Sequence, residues 1–299
     1  MKRLKIPVLL LTLCFLSFTL TGHAGDPNEK PGCFSKRIAT DSLQNVMDQL
    51  KNSEVLVYTK NGKGYVHENI PASIAAFQKL GIENGFTTDT TTNSALFTDV
   101  NLKKYDVIIF SNTNNDVFDT EEQKVAFMRY IQAGGGFMGI HSASGTERSW
   151  KWFKLMLGAT FLRHPPFQSF TVHVLDKKHP AVKNLSSQWE TNDECYFFKE
   201  INPSIKILLV SDISAIKEAD SSKNIKPDVF GNRYPAAWCQ EFDGGRIFYT
   251  SLGHSKEDYS NATYLAHILE GLKWVTEKPK PDYKKAKAVS SVIDEMKIF

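Results

Sequence analysis

Residues 132–145, "QAGGGFMGIHSASG", set Gly134, Gly136 and Gly139 at the G-x-G-x-x-G spacing of a dinucleotide-binding fingerprint. That fingerprint works only where the glycines follow a strand and open a helix, whose free N–H groups then take the pyrophosphate. Here the order is the reverse. Upstream, "DTEEQKVAFMRYIQAG" has Asp119 or Thr120 as N-cap, acidic residues in the first turn, and Val125, Phe127, Met128 and Ile131 at helical spacing. Downstream, "GGFMGIHSA" is a short apolar run ending in small residues, which reads as a buried strand and a tight turn. The glycines therefore close a helix, Gly134 and Gly135 as a C-cap with positive φ. A nucleotide site is not expected, and interest moves to His141 at the strand's far end.

The same alternation extends on both sides. "SEVLVYTK" reads as a first buried strand and "NIPASIAAFQKLGIENG" as a helix with Pro71 in its first turn and Gly81 or Gly85 near its end. "FTTDTTTNSALF" supplies a polar second strand and loop, and "YDVIIFSNTNN" an apolar third strand. This β-α-β-α order predicts a doubly wound, mainly parallel sheet with helices on both faces. Past His141, the segments "SWKWFKLMLGATFLRHPPFQ", "SFTVHVLD", "IKILLVSDI", "YPAAWCQEF" and "GRIFYTSLGH" suggest added strands, some antiparallel, before the closing helix "YLAHILEGLKWVTE". The domain spans residues 54–276. A lead and short helix precede it at 25–53, and a basic tail follows at 277–299.

The first 24 residues have a basic start, an apolar stretch from Ile6 to about Leu20, and small residues at Gly22 and Ala24. They read as a secretory signal peptide cut after Ala24; the alternative is an uncleaved anchor, disfavoured because the apolar stretch is shorter than the ~20 residues of a membrane span. Cys14 follows Leu13 inside the apolar core, so lipidation is not expected. The expected location is periplasmic or secreted, with no stable membrane association after cleavage. Loss of Lys2, Arg3 and Lys5 takes the basic count from 36 to 33, against 33 acidic residues. A near-neutral chain argues against nucleic acid or an anionic membrane as partner. A homo-oligomer is compatible with such a domain. Cys33, Cys195 and Cys239 allow at most one disulfide, so disulfides cannot hold this fold.

In a doubly wound sheet the ligand site lies outside the carboxyl ends of the strands. His67 and Glu68 follow the first strand, Asn112 and Asn114 end the third, His141 and Ser142 end the fourth, and His254 ends the last. Three histidines from separate strand ends point to one site, whereas any one of them alone would read as a satisfied core residue. Two further clusters lie in the added region. "FLRHPPFQ" fixes His164 before two prolines, and "WETNDECYFF" sets Asp193 and Glu194 beside Tyr196 among aromatics. A carboxylate there has its proton affinity raised by desolvation and suits a general acid or base, unless the pair is a solvated turn.

The runs "YVHENIPASIAAF", "GGGFMGIHSASG", "LMLGATFLRHPPFQSFTVHV", "HPAVKNL", "TNDECYFF" and "AAWCQEFDGGRIFYTSLGH" together resemble the ThuA-like family, the trehalose-utilisation proteins, from about Val55 to Val275. The resemblance implies a flavodoxin-like sheet similar to class I glutamine amidotransferases. Those relatives carry a cysteine nucleophile in "G-I-C-x-G", where this chain has "GIHSA" with His141, so thiolate glutaminase chemistry is not expected. The family reads Asp-Glu-Trp-Tyr where this chain has Asp193, Glu194, Cys195 and Tyr196. The lost aromatic is expected to widen the pocket or alter its specificity.

The resemblance also implies a link to the breakdown of sugars, in particular 3-keto sugars and glycosides. The leading expectation is an exported enzyme that cleaves a glycoside or 3-keto-glycoside by acid/base chemistry. His141 serves as base, Glu194 as acid, and His254 or a metal polarises the ketone. Trp150, Trp152, Tyr196 and Trp238 offer stacking faces, and His67, Asn112, His164 and Asp193 further contacts to a small carbohydrate. A divalent ion such as zinc on His67, His141 and His254 suits imidazole ligands, although no compact spacing such as H-E-x-x-H marks it. The competing expectation is a sugar-binding or accessory module without turnover.

Overall fold

The computed structural model describes residues 50–218, 230–277 and 280–293. The signal peptide, the segment "ATDSLQNVMDQLKN" up to Gln49, Cys14 and Cys33 lie outside the described residues.

Among the described residues there are eleven strands and five helices, and those up to the fourth strand follow the predicted alternation. Strand β1 (Glu54–Tyr58) leads through a long loop into helix α1 (Ile70–Asn84), then β2 (Thr87–Thr91), a short helix α2 (Asp99–Leu102) and β3 (Val107–Ser111). Helix α3 (Glu121–Gln132) is capped by Thr120, whose hydroxyl accepts from the Gln123 N–H. It ends at Gly134, whose φ of 100° is the left-handed conformation that glycine permits. Strand β4 (Gly136–Ile140) then delivers His141, and a helical turn over His141–Gly145 leads to α4 (Lys151–Leu157). The added region contributes β5 (Thr160–Arg163), β6 (Gln168–Val174), β7 (Gln188–Asp193), β8 (Phe197–Lys199), β9 (Lys206–Asp212) and β10 (Arg233–Phe242). Strand β11 (Gly245–Thr250) and helix α5 (Ala262–Thr276) complete the fold.

The main sheet has the order β2-β1-β3-β4-β11-β10-β9-β6-β7. Its first five strands pair in parallel, and the flavodoxin-like order places a topological switch point between β1 and β3. From β11 outward every pairing is antiparallel. A two-stranded antiparallel ribbon of β5 and β8 stands apart. Two added strands, β7 and β8, come from "WETNDECYFF", where the apolar run Cys195–Phe198 is only four residues long and the polar stretch before it gives no strong strand signal.

Strand β4 shows why helices cover both faces. Phe137 packs against Phe127 of α3 and Phe153 of α4, whereas Met138, on the opposite face, lies near Gly271 of α5. All five residues of β3 and of β4 are buried, as a central parallel strand requires. Residues 280–293 strap back onto the domain: Arg129 donates to the Ala286 and Ala288 carbonyls, and Ser291 donates to Glu121. Cys195 and Cys239 are both buried and free.

Candidate active site and metal centre

Register brings the strand ends level. Ser111 of β3, Ile140 of β4 and Thr250 of β11 are mutual partners, so Asn112, His141 and Ser251 leave the sheet at one height. His141 turns out of its strand with φ of +51°, strained for a residue with a Cβ, and Asn112 beside it has φ of +54°. The strain is held in place from several sides. Tyr249 Oη donates to the His141 carbonyl (2.7 Å), and His141 Nδ1 meets the Ser251 carbonyl at 2.7 Å. A carbonyl only accepts, so Nδ1 carries the proton and Nε2 keeps its lone pair.

Around that lone pair the predicted residues converge. Tyr196 Oη lies 2.8 Å from His141 Nε2, His254 Nδ1 3.2 Å and Glu194 Oε2 3.5 Å. His254 Nδ1 is also 3.3 Å from Glu194 Oε2, and His164 Nε2 is 3.4 Å from Glu194 Oε1. The His67 ring stands edge-on to that of His141, centroids 4.9 Å apart, with Nδ1 3.3 Å from Ser142 Oγ. One ligand atom from each of His67, His141, Glu194 and His254 lies within 4.8 Å of the other three. These four can hold a metal ion.

Their protonation suits that role. Burial, helped by the charges of His141 and His254, pushes His67 down to about 3. Burial also lowers His141. For Glu194, burial pushes upward, but contacts from His141 and His254 outweigh it and hold the carboxyl below its ordinary range. Neutral imidazoles and an ionised carboxylate are the forms a cation binds. His254 is the exception, since Glu194 raises it, so a cation there displaces a proton. The His141 Nδ1–H bond to a backbone carbonyl is the orienting contact that metal-bound histidines commonly show.

The cluster floors a cleft of about 400 Å³, walled by Tyr65, Arg148, Phe161, His164 and Tyr196 among others. His67, Glu194 and His254 reach its surface, whereas His141 is fully buried behind them. An ionised Glu194 is a ligand or a base rather than the acid expected of it, because two neighbouring imidazoles reverse the effect of desolvation.

Asp193 and Asn112 position the site from inside. Asp193 is fully buried, accepting from the Glu194 N–H (2.7 Å) and the Gly253 N–H (2.8 Å), so one carboxyl ties the Glu194 segment to the His254 turn. Asn112, equally buried, donates to Tyr259 Oη and accepts from Asn69 Nδ2, which also approaches the Gly253 and His254 carbonyls. Gly253, at φ of +106°, leaves no room for a Cβ beside Tyr264 Oη. Asp193→Asn exchanges one of the two acceptors for a donor facing an N–H. It is expected to cost about 1–3 kcal/mol of stability, read by urea titration.

Three stacking expectations are corrected. Trp238 has no exposed surface and donates from Nε1 to the Leu157 carbonyl. Trp150 donates to the Ser291 carbonyl and stacks on the nearly fully buried Trp152. These rings fill the core, the commonest use of so large an apolar group. Cys195 also faces inward, its thiol pushed up to about 12 by burial, so it does not widen the cleft. Sequence reasoning passed over Tyr65, Phe161 and Arg148. The two aromatics flank His67 and His164 in the chain, and that adjacency was the available signal.

The model of the family described as "ThuA: Trehalose utilisation" matches residues 54–275. The chain belongs to the ThuA family. A ThuA-like protein from Bacteroides uniformis ATCC 8492 is 24% identical, with a TM-score of 0.63 over 87% of this chain and 100% of its own. Another, from Parabacteroides merdae ATCC 43184, is 19% identical, with a TM-score of 0.56 over 78% and 96%. These likenesses show a shared fold. No curated protein matches the chain.

Proposed function

We propose that this ThuA-family protein is an exported enzyme that cleaves a glycoside or 3-keto-glycoside by metal-assisted acid/base chemistry. The observation that carries the reading is the convergence of His67, His141, Glu194 and His254 on the floor of an open cleft. The family's description as trehalose utilisation supports a carbohydrate as substrate. Export rests on the amino-terminal sequence.

A ketone at C3 acidifies the C2 proton. Removing that proton lets the C2–H electron pair form C1=C2 while the C1–O bond breaks, and a proton goes to the departing oxygen, giving an alcohol and an enone. A divalent cation such as zinc, when bound, supplies a Lewis acid for the ketone oxygen. The chain's own residues do the rest. The four cluster residues would hold the cation, and the Ser251 carbonyl orients His141. Among the described residues, His164 is the cleft-wall histidine outside the cluster, anchored at Nδ1 by the Pro165 carbonyl (2.8 Å) and facing Glu194 at Nε2. It moves the proton between C2 and the leaving oxygen. Tyr65 and Phe161 give the pyranose its apolar walls.

Metal-stripped protein titrated with Zn²⁺, Mn²⁺ and Co²⁺ is expected to gain about 3 kcal/mol at a hundredfold excess over Kd, a shift of several degrees in Tm. A panel of glycosides and their 3-keto forms, with and without chelator, then reads turnover. Stabilisation by none of the ions, or turnover indifferent to chelator, sinks the metal; turnover of nothing in the panel sinks the enzyme reading.

A further inference from the structure

A second cleft, of about 540 Å³, is lined by other residues than the first, yet several of them adjoin the histidine cluster in the chain or in space. Phe167 lines it, and its ring centroid lies 5.6 Å from that of His254. Asn192 lines it two residues before Glu194, and Ser255 lines it directly after His254. Two segments thus present one residue to the groove and a near neighbour to the metal-ligating cluster, and the Phe167 ring bridges the two in space.

The groove's chemistry is selective. Trp189 and Tyr264 supply rings, while Glu190, Asn192 and Asp258 supply hydrogen-bonding groups. Rings that meet apolar C–H faces, with carboxylates and amides that take up hydroxyls, match a sugar. Three carboxylates, those of Glu190, Glu257 and Asp258, and no Lys or Arg among the described lining residues disfavour a phosphorylated or acidic ligand. A cation is also unsuited, because the group of metal-ligating side chains found among the described residues is the one already described. The volume is within the range of small-ligand sites.

Phe167 stands at the boundary and is held there. Pro165 and Pro166 precede it, and Gln168 after it donates to the Pro166 and Lys217 carbonyls and accepts from the Lys217 N–H. An aromatic ring 47% exposed yet anchored on both sides is pre-organised for stacking.

We propose that this groove is a second sugar subsite, which takes the neutral leaving-group ring of a disaccharide whose other ring reacts at the histidine cluster. The proposal rests on the function argued above and narrows its substrate to neutral disaccharides or longer glycosides. Calorimetric titration with 3-keto-trehalose and 3-keto-cellobiose, against 3-keto-glucose, tests it. At least one disaccharide is expected to bind about tenfold tighter than the monosaccharide, the worth of one good ring contact. Phe167→Ala, and Ser169→Trp, which fills the groove from an exposed position, should each erase that advantage while leaving 3-keto-glucose unaffected. Equal binding of all three sugars, or an advantage that survives both variants, overturns the subsite and leaves the reading of the histidine cluster standing. No binding of any of the sugars overturns both.

Discussion

His141→Ala is expected to lower turnover by about 10²-fold or more and to remove most of the bound metal, while the protein still folds. The rate figure is the usual worth of a positioned group in acid/base catalysis. His141 does not reach the cleft surface, so its effect is exerted through what it holds. Its Nε2 faces Tyr196 Oη, His254 Nδ1 and Glu194 Oε2 within 3.5 Å, and a methyl group there leaves the Tyr196 hydroxyl and the Ser251 carbonyl without that partner. Relief of the positive φ offsets little, because alanine carries the same Cβ strain. Circular dichroism separates a folded variant from an unfolded one, and metal content by atomic emission supplies a readout besides rate. A folded His141→Ala that keeps full turnover removes His141 from the machinery; one that keeps its metal but loses turnover moves its role from ligand to proton transfer.

The central architecture was legible because periodicity and punctuation agree. In "DTEEQKVAFMRYIQAGGGFMGIH" a capped helix, a glycine stop and a short apolar strand follow one another, and the structure repeats that order with Thr120 as cap and Gly134 in the left-handed conformation. Once parallel strands were inferred, the carboxyl-end rule brought His67, His141 and His254 to one edge, and the register of β3, β4 and β11 explains why Asn112, His141 and Ser251 leave the sheet at one height. Strands β7 and β8 were hidden because alternation there is broken by Asn192, Asp193 and Glu194, which serve the site rather than the sheet. The tryptophans misled for a related reason: a large ring reads alike whether it faces a sugar or the core, and only packing decides. The ionisation of Glu194 was out of reach as well, since the two imidazoles that set it follow β4 and β11, 53 residues before it and 60 after it in the chain.

Acid is expected to destabilise the fold steeply, and a single residue outside the site should account for much of the slope. His267, on α5, is fully buried among Phe248, Trp189 and Tyr264, and neither ring nitrogen has a partner among the described residues. Burial pushes its proton affinity down to about 3. In the unfolded chain the same imidazole takes up a proton near pH 6.5. Between those values the unfolded state binds more protons than the folded one, so stability is full above about pH 6.5 and is lost as pH falls toward 3. The loss is on the order of 4 kcal/mol at the lower end of that window. Two site histidines, His67 and His141, are lowered by burial as well and add slope of the same sign. His267→Phe isolates the contribution: an apolar ring of similar shape has nothing to protonate and no unpartnered nitrogen to bury. The variant should be as stable as the parent at pH 7, or up to about 2 kcal/mol more so, and its lead should widen as pH falls. Urea titrations of both proteins at pH 7, 5 and 4 check this. Parallel stability curves for the two proteins would show that His267 takes up its proton at the same pH folded and unfolded, and would overturn its part in the acid sensitivity.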